Sequence, residues 1–222
     1  MDKCTFYDVE QNTDEWLELR AGKITASGLS KIMANYGKAF GDPAKAYARD
    51  IAFERVYGKP VPSLFENAHT RRGHEQEPRA RAEYERQYFL DVENGGFFDC
   101  GDFGCSPDGL IVGGGVIEIK SQVPSVHFQT VKSQSFPSAY KWQVAANCIY
   151  TKQPFIDCIS YCEDVPDERC IYVCRFFDEQ LRDDYAKIKE RSEEFLETLV
   201  KPWMEIIGNS NYSVNTHNAY EA

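Results

Sequence analysis

Three consecutive glycines, Gly113-Gly114-Gly115, separate Leu110-Ile111-Val112 from Val116-Ile117-Glu118-Ile119. Short β-branched segments on either side of such a tract predict a tight hairpin from about Gly109 to Lys120, because glycine takes the backbone of a sharp turn without steric strain. Alternation along the second strand sends Glu118 and Lys120 to one face. Reversal of the chain brings Asp108, within Ser106-Pro107-Asp108-Gly109, back beside them. Two carboxylates and an ammonium then converge.

Hard oxygen ligands of this kind suit Mg²⁺, with Mn²⁺ as a substitute, since such ions keep several waters and take their remaining ligands from phosphate. Phosphodiester cleavage needs an activated water, a Lewis acid on the scissile phosphate and charge stabilisation at the leaving oxygen. Asp108 is expected as the ligand shared by the metals, Glu118 as ligand to one, and the Ile119 carbonyl as a backbone ligand. Lys120, its pKa lowered by neighbouring metal charge, would orient or deprotonate the attacking water. A single Glu-x-Lys on a strand is usually a pair of solvent-facing charges. Its combination with Pro-Asp-Gly, a hairpin and an apolar sheet carries the catalytic reading.

The remaining pattern is α/β. Helices are predicted from Thr13 to Arg20, from Ser27 to about Ala34, from Pro43 to Tyr57 with Gly58 after its end, and from about Glu66 to Tyr88 with Pro78 kinking it near His74. Phe97-Phe98 reads as a strand, a helix follows over 138–150, and Phe155–Cys162 and Cys170–Phe176 form a second strand pair. A long amphipathic helix runs from Asp178 to about Ile207, interrupted by Pro202, and residues 208–222 read as a loosely ordered tail. With 222 residues, 42% of them apolar and 27% charged, a single domain over 1–222 is expected, and no segment is apolar enough to span a membrane. The polar start Met1-Asp2-Lys3-Cys4-Thr5 argues against a secretory signal, so the expected location is the cytoplasm.

Eight cysteines in a chain of this size, without an export signal, read as free thiols. Cys158 and Cys162 lie four apart on one predicted strand, and Cys170 and Cys174 four apart on its partner, so all four could share a face. Their spacing matches no common zinc or iron–sulfur pattern, and buried thiols acting as small apolar groups are favoured. The net charge of −10 disfavours unspecific coating of nucleic acid but permits a local basic groove.

Five motifs occur in order: Leu19-Arg20-Ala21-Gly22-Lys23-Ile24-Thr25-Ala26-Ser27, Arg72-Gly73-His74-Glu75-Gln76-Glu77-Pro78, Cys105-Ser106-Pro107-Asp108-Gly109-Leu110, Glu118-Ile119-Lys120, and Tyr140-Lys141-Trp142-Gln143-Val144. Together they resemble the lambda exonuclease or YqaJ-like viral recombinase family of the PD-(D/E)xK nuclease superfamily, from about Trp16 to the C-terminal helix. The resemblance implies a restriction-endonuclease-like core, a central mixed β-sheet flanked by helices. It also implies 5′-to-3′ digestion of one strand of duplex DNA, a ring-shaped homotrimer, and a single-strand annealing protein as partner in phage recombination. The host compartment would be a bacterial cytoplasm if the chain is phage-encoded.

Carried over by position, Glu77 matches the family's helix-borne acid near the second metal, and Gln143 its helix-borne glutamine. Read without the family, Glu77 is one more solvated helix acid, and Gln143 is as readily a hydrogen bonder at the core edge. Arg20, Thr25 and Ser27 match positions that hold the 5′-terminal phosphate, with Ser106 a further candidate. Helix capping by Thr25 and Ser27 can coexist with that role. Lys23, Lys31, Arg49, Lys132 and Lys141 are possible contributors to a basic channel. Related bacterial nucleases often place a tyrosine four residues after the glutamine, where this chain has Asn147. Two rival readings are a structure-specific endonuclease on the same scaffold and a catalytically silent DNA-binding or assembly subunit.

Overall fold

A computed structural model describes residues 4–61 and 68–209. In chain order the elements are β1 (Thr5–Tyr7), α1 (Asp14–Arg20), β2 (Ile24–Thr25), α2 (Leu29–Met33), α3 (Asp42–Tyr57), α4 (Ala68–Tyr88), β3 (Val92–Glu93), β4 (Phe97–Cys100), β5 (Phe103–Cys105), β6 (Gly109–Ile111), β7 (Val116–Ser121), α5 (Pro124–Ser133), α6 (Lys141–Tyr150), β8 (Phe155–Tyr161), β9 (Ile171–Phe177), α7 (Asp178–Phe195) and α8 (Lys201–Gly208). Their starts and ends follow local chemistry. The Thr13 side chain accepts from the Trp16 amide to cap α1, and Gly58 ends α3 at φ +63°.

The strands form two mixed sheets, β1-β4-β5-β2 and β3-β6-β7-β8-β9. The predicted glycine hairpin is β6–β7, antiparallel with Gly109 opposite Ile117. Gly113, Gly114 and Gly115 all take positive φ, between +95° and +120°, which explains why no other residue type fits the tract. Strand β7 then pairs in parallel with β8, and Val116 to Ile119 are buried. A central strand covered on both faces reads as an apolar run, and Glu118 is the exception within it.

Alternation divides the packing. Ile117 and Ile119 face Ala80 and Tyr84 of α4, whereas Val116 joins the larger cluster with Leu29, Ile51, Val144, Ile188 and Phe195 from α2, α3, α6 and α7. Helix α4 therefore covers one face of the second sheet and α6 the other, and each reaches the Asp108–Lys120 hairpin.

The structure differs from the sequence reading in several places. Helix α5 and strands β1, β2, β3 and β5 were not anticipated; these strands are two or three residues long, too short for a period to show. Helix α4 does carry Pro78 in its interior, as the sequence leads one to expect. The C-terminal helix is interrupted one turn before Pro202, by a wide π turn over Leu196–Val200, because Pro202 sits in the first turn of α8 where its missing N–H is tolerated. The first residues of the helix expected from Glu66 lie outside the described residues, as does the tail from 210 onward. The free-thiol expectation fails for one pair. Cys4 and Cys100 form a disulfide, because antiparallel pairing of Thr5 with Asp99 sets them opposite each other across 96 residues of sequence. Cys105, Cys148, Cys158, Cys162, Cys170 and Cys174 are free and buried. The shared face proposed for four of them is also corrected, since Cys158 and Cys174 belong to the larger cluster and Cys170 to the α4 side. Among the described residues no helix is long and apolar enough to cross a membrane.

Gly95 is buried where the chain passes behind the Asp108 segment, and a Cβ placed there would lie 1.7 Å from the Pro107 carbonyl oxygen. Gly95→Ala is expected to push that segment out of register and destabilise the fold by about 1–3 kcal/mol, the usual scale of overpacking. A melting curve beside that of the parent protein measures it; an unchanged midpoint would mean the segment has room to move.

Candidate active site

One cleft of about 740 Å³ gathers every catalytic, metal-ligand and terminal-phosphate candidate named from the sequence. Strand β7 contributes Glu118, Ile119 and Lys120, the segment before β6 contributes Ser106 and Asp108, α4 contributes Glu77, and α6 contributes Gln143. Arg20 from α1, Thr25 from β2 and Ser27 from the following turn complete the set. The short strand β2 explains this last group: pairing of Ile24 and Thr25 with Phe103 and Gly104 ties the Arg20–Ser27 stretch to the strand that runs into Ser106.

Asp108 is bolted to β7. Its amide donates to the Ile117 carbonyl at 3.0 Å, and its Oδ2 accepts from the Ile119 amide at 2.6 Å. From α4, Arg81 donates to the Asp108 carbonyl and lies 3.6 Å from Glu77 Oε1, so one guanidinium spans two of the acids. Glu118 is fully buried. Its Oε1 accepts from Gln143 Nε2 at 2.6 Å and pairs with Lys120 Nζ, and its Oε2 accepts from Asn147 Nδ2 at 2.6 Å.

Burial and mutual repulsion set the titration of this group. Desolvation and the Asp108 charge push Glu77 up to about 7; desolvation pushes Glu118 up to about 8, against Lys120 and with Asp108. Asp108 is raised by burial, although Lys120 and the Ile119 amide oppose the shift. Lys120 is half-buried, and in the chain alone Glu118 and Asp108 outweigh desolvation and hold its pKa above the ordinary value. The lowering expected from sequence depends on a metal's charge, which the chain alone does not carry. Three carboxylates meet two cations, Lys120 and Arg81, and the pocket is short of positive charge.

That deficit is the test of fit for a divalent ion. The donors are hard oxygens, Glu118 fully and Asp108 and Glu77 partly buried, and their charge is under-compensated, a set that suits magnesium or manganese. Among the described residues no three or more His, Cys, Asp or Glu side chains close into a ready-made cage. Mg²⁺ ordinarily takes one or two carboxylates and leaves its other positions to water and phosphate, so Asp108 and Glu118, with Glu77 at the edge, suit it.

The second group of residues gathers a guanidinium and several hydroxyls. Arg20 stacks on the Trp16 ring at 3.9 Å and, among the described residues, forms no ion pair. Burial lowers its pKa from the usual guanidinium value without making it neutral. Trp16 Nε1 donates to Ser106 Oγ at 2.7 Å, and the hydroxyls of Thr25 and Ser27 stand 3.3 Å apart. Neither hydroxyl caps the following turn; the Thr25 amide instead donates to the Tyr47 hydroxyl at 3.0 Å.

Several contributors escaped the sequence reading. Trp16 orients Ser106; Arg81, Tyr47 and Asn147 touch site residues from distant elements; His74 and Tyr140 line the cleft. Helical spacing could have flagged two of them, since Arg81 lies four residues after Glu77 and Asn147 four after Gln143. None of Lys23, Lys31, Arg49, Lys132 and Lys141 lines the cleft, and Lys23 and Lys141 are paired with Asp99 and Asp184.

The sequence profile of the YqaJ-like viral recombinase domain matches residues 15–154, a span that includes all the site residues above. Among solved structures the chain is similar to an alkaline exonuclease (LHK-Exo) from Laribacter hongkongensis, with a TM-score of 0.75 and 28% identity over 88% of this chain and 96% of that one. It is likewise similar to LHK-Exo in complex with dAMP, at TM-score 0.75 and 30% identity over 87% and 96% of the two chains. A phage related exonuclease from Haemophilus somnus 129PT shares the fold, at TM-score 0.64 and 18% identity over 83% and 95%. No curated protein matches the chain. The architecture is the restriction-endonuclease-like core expected from sequence, with mixed sheets flanked by helices.

Raised acids give a pH dependence with a definite sign. In the folded chain Glu77 and Glu118 hold protons that the unfolded chain releases near 4.5, so the stability they contribute is complete below that pH and is lost as pH rises through about 7 and 8. The metal-free melting temperature is expected to fall between pH 6 and 9, and to fall less in Glu118→Gln. Mg²⁺ should raise it more at pH 9 than at pH 6. Calorimetric scans across this range would refute the electrostatic picture if parent and variant gave parallel profiles.

Proposed function

Because the chain belongs to the YqaJ-like viral recombinase family, we propose that it is a metal-dependent DNA exonuclease that digests one strand of linear duplex from its 5′ end. The products would be 3′ single-stranded overhangs for phage-type homologous recombination. The observation that carries this reading is the cleft itself, where a cation-deficient acid set and an anion-binding set face one space. An alkaline exonuclease in complex with dAMP, a nucleoside monophosphate, is a relative whose ligand has the chemistry such a cleft would accept.

A divalent ion, Mg²⁺ with Mn²⁺ as a substitute, would be held by Asp108, Glu118, the Ile119 carbonyl and Glu77 and would supply Lewis acidity at the scissile phosphate. The chain supplies the remainder. Lys120, paired with Glu118, would orient or deprotonate the attacking water and balance phosphate charge. Gln143 fixes one carboxylate oxygen of Glu118. Arg20, on its Trp16 platform, and the hydroxyls of Thr25, Ser27 and Ser106 would grip a terminal 5′-phosphate, and Trp16 pre-orients the Ser106 hydroxyl. A pocket that rewards a phosphate at a cut end makes the enzyme end-dependent, since an interior phosphate carries a further ester where the pocket offers donors. Family membership further supports a homotrimeric ring around duplex DNA, a single-strand annealing protein as partner, and action in a bacterial cytoplasm.

Linear duplex labelled at either terminus and a covalently closed circle, each incubated with Mg²⁺ and with chelator, test this together. The expected result is early release of the 5′ label, an intact circle, and no digestion with chelator. Cleavage of the circle would indicate an endonuclease. Binding of duplex without cleavage of any substrate would indicate a silent DNA-binding subunit.

A further inference from the structure

Asn147 sits on α6 one helical turn after Gln143, is fully buried, and donates through Nδ2 to Glu118 Oε2 at 2.6 Å. The amide nitrogen thus faces the carboxyl group and the amide oxygen points away from it. There Oδ1 is buried with no hydrogen-bond partner. A position that needed only filling would take an apolar side chain of similar volume and leave no orphaned acceptor. The bond to Glu118 is therefore the reason for an amide here.

Glu118 has few other constraints on its orientation. Its partner on β8 is Cys158, itself fully buried, and the terminal torsion of a glutamate is intrinsically broad. Gln143 and Asn147, four residues apart and thus on one helix face, take one oxygen each and fix the carboxylate plane. Each oxygen offers two acceptor sites. Gln143 and Lys120 fill those of Oε1 and Asn147 fills one on Oε2, which leaves a single site on Oε2 for a cation.

Resting on the reading of the cleft as a metal-dependent nuclease site, we infer that Asn147 is a positioning residue, one half of an amide pair on α6 that orients Glu118 to bind a divalent cation. It touches neither substrate nor ion and acts through the carboxylate. Removing such an outer partner typically weakens metal affinity or activity about 10–100-fold.

The test is calorimetric titration of Mn²⁺ into DNA-free protein, for the parent, Asn147→Leu, Glu118→Gln and the double variant, with melting curves to establish folding. Asn147→Leu is expected to weaken Mn²⁺ binding about 10–100-fold and to lower kcat while KM for duplex ends holds. The double variant is expected to bind no more weakly than Glu118→Gln alone, because the two residues act as a unit. A folded Asn147→Leu with parental affinity, or losses that add in the double variant, would overturn the inference while leaving the nuclease reading intact. A parent protein that binds no Mn²⁺ would overturn both. Asn147→Ala replaces the leucine variant if that one does not fold; if neither folds, the amide serves the core and the inference falls.

Discussion

Everything in the cleft depends on the closure of one hairpin, at the point where the Ile119 amide holds Asp108 Oδ2 and the Asp108 amide holds the Ile117 carbonyl. These two bonds place a half-buried carboxylate beside a fully buried one, Glu118, on the middle strand of the sheet. Burying like charges together is costly unless something compensates them, and the folded chain supplies only part of that compensation through Lys120 and Arg81. The remaining deficit is what supports the proposal of a divalent cation at this place.

The surrounding elements divide the labour around that deficit. Helix α4 brings Glu77 and Arg81 to the Asp108 side, and α6 brings two amides to Glu118 from the other face of the same strand. The first sheet places the Arg20–Ser27 stretch and Ser106 against each other, with Trp16 as the link. The acid set and the Arg20–Ser27 set therefore rest on different sheets, and the β5-to-β6 segment that carries Ser106 and Asp108 joins them. A distortion of that segment reaches both halves of the cleft.

How much of this was legible in sequence follows from interaction range. The hairpin was legible because the glycine tract and the two-residue period are local, and so were Asp108, Glu118 and Lys120. Helices α1 and α3 were legible through Thr13 and Gly58. Glu77, Gln143 and the phosphate set became site candidates only through family resemblance, since a helix acid, an amide or a hydroxyl has many ordinary uses. The bond from Trp16 to Ser106 spans 90 residues and the disulfide from Cys4 to Cys100 spans 96; pairing of the small strands decides both, and those strands are too short to announce themselves. Helix α5 did carry a signal, Pro124 in its first turn, that the reading passed over. In the metal-free chain Glu118 and Asp108 raise the Lys120 pKa, whereas the lowering expected from sequence depends on a metal's charge.

The central claim is that this acid pocket is completed by a divalent cation. Anomalous diffraction from crystals grown with Mn²⁺ measures it directly. The account predicts a manganese peak inside the cleft, bounded by Asp108 and Glu118. Well-diffracting crystals whose manganese lies only on the outer surface, with the cleft holding water alone, would contradict it.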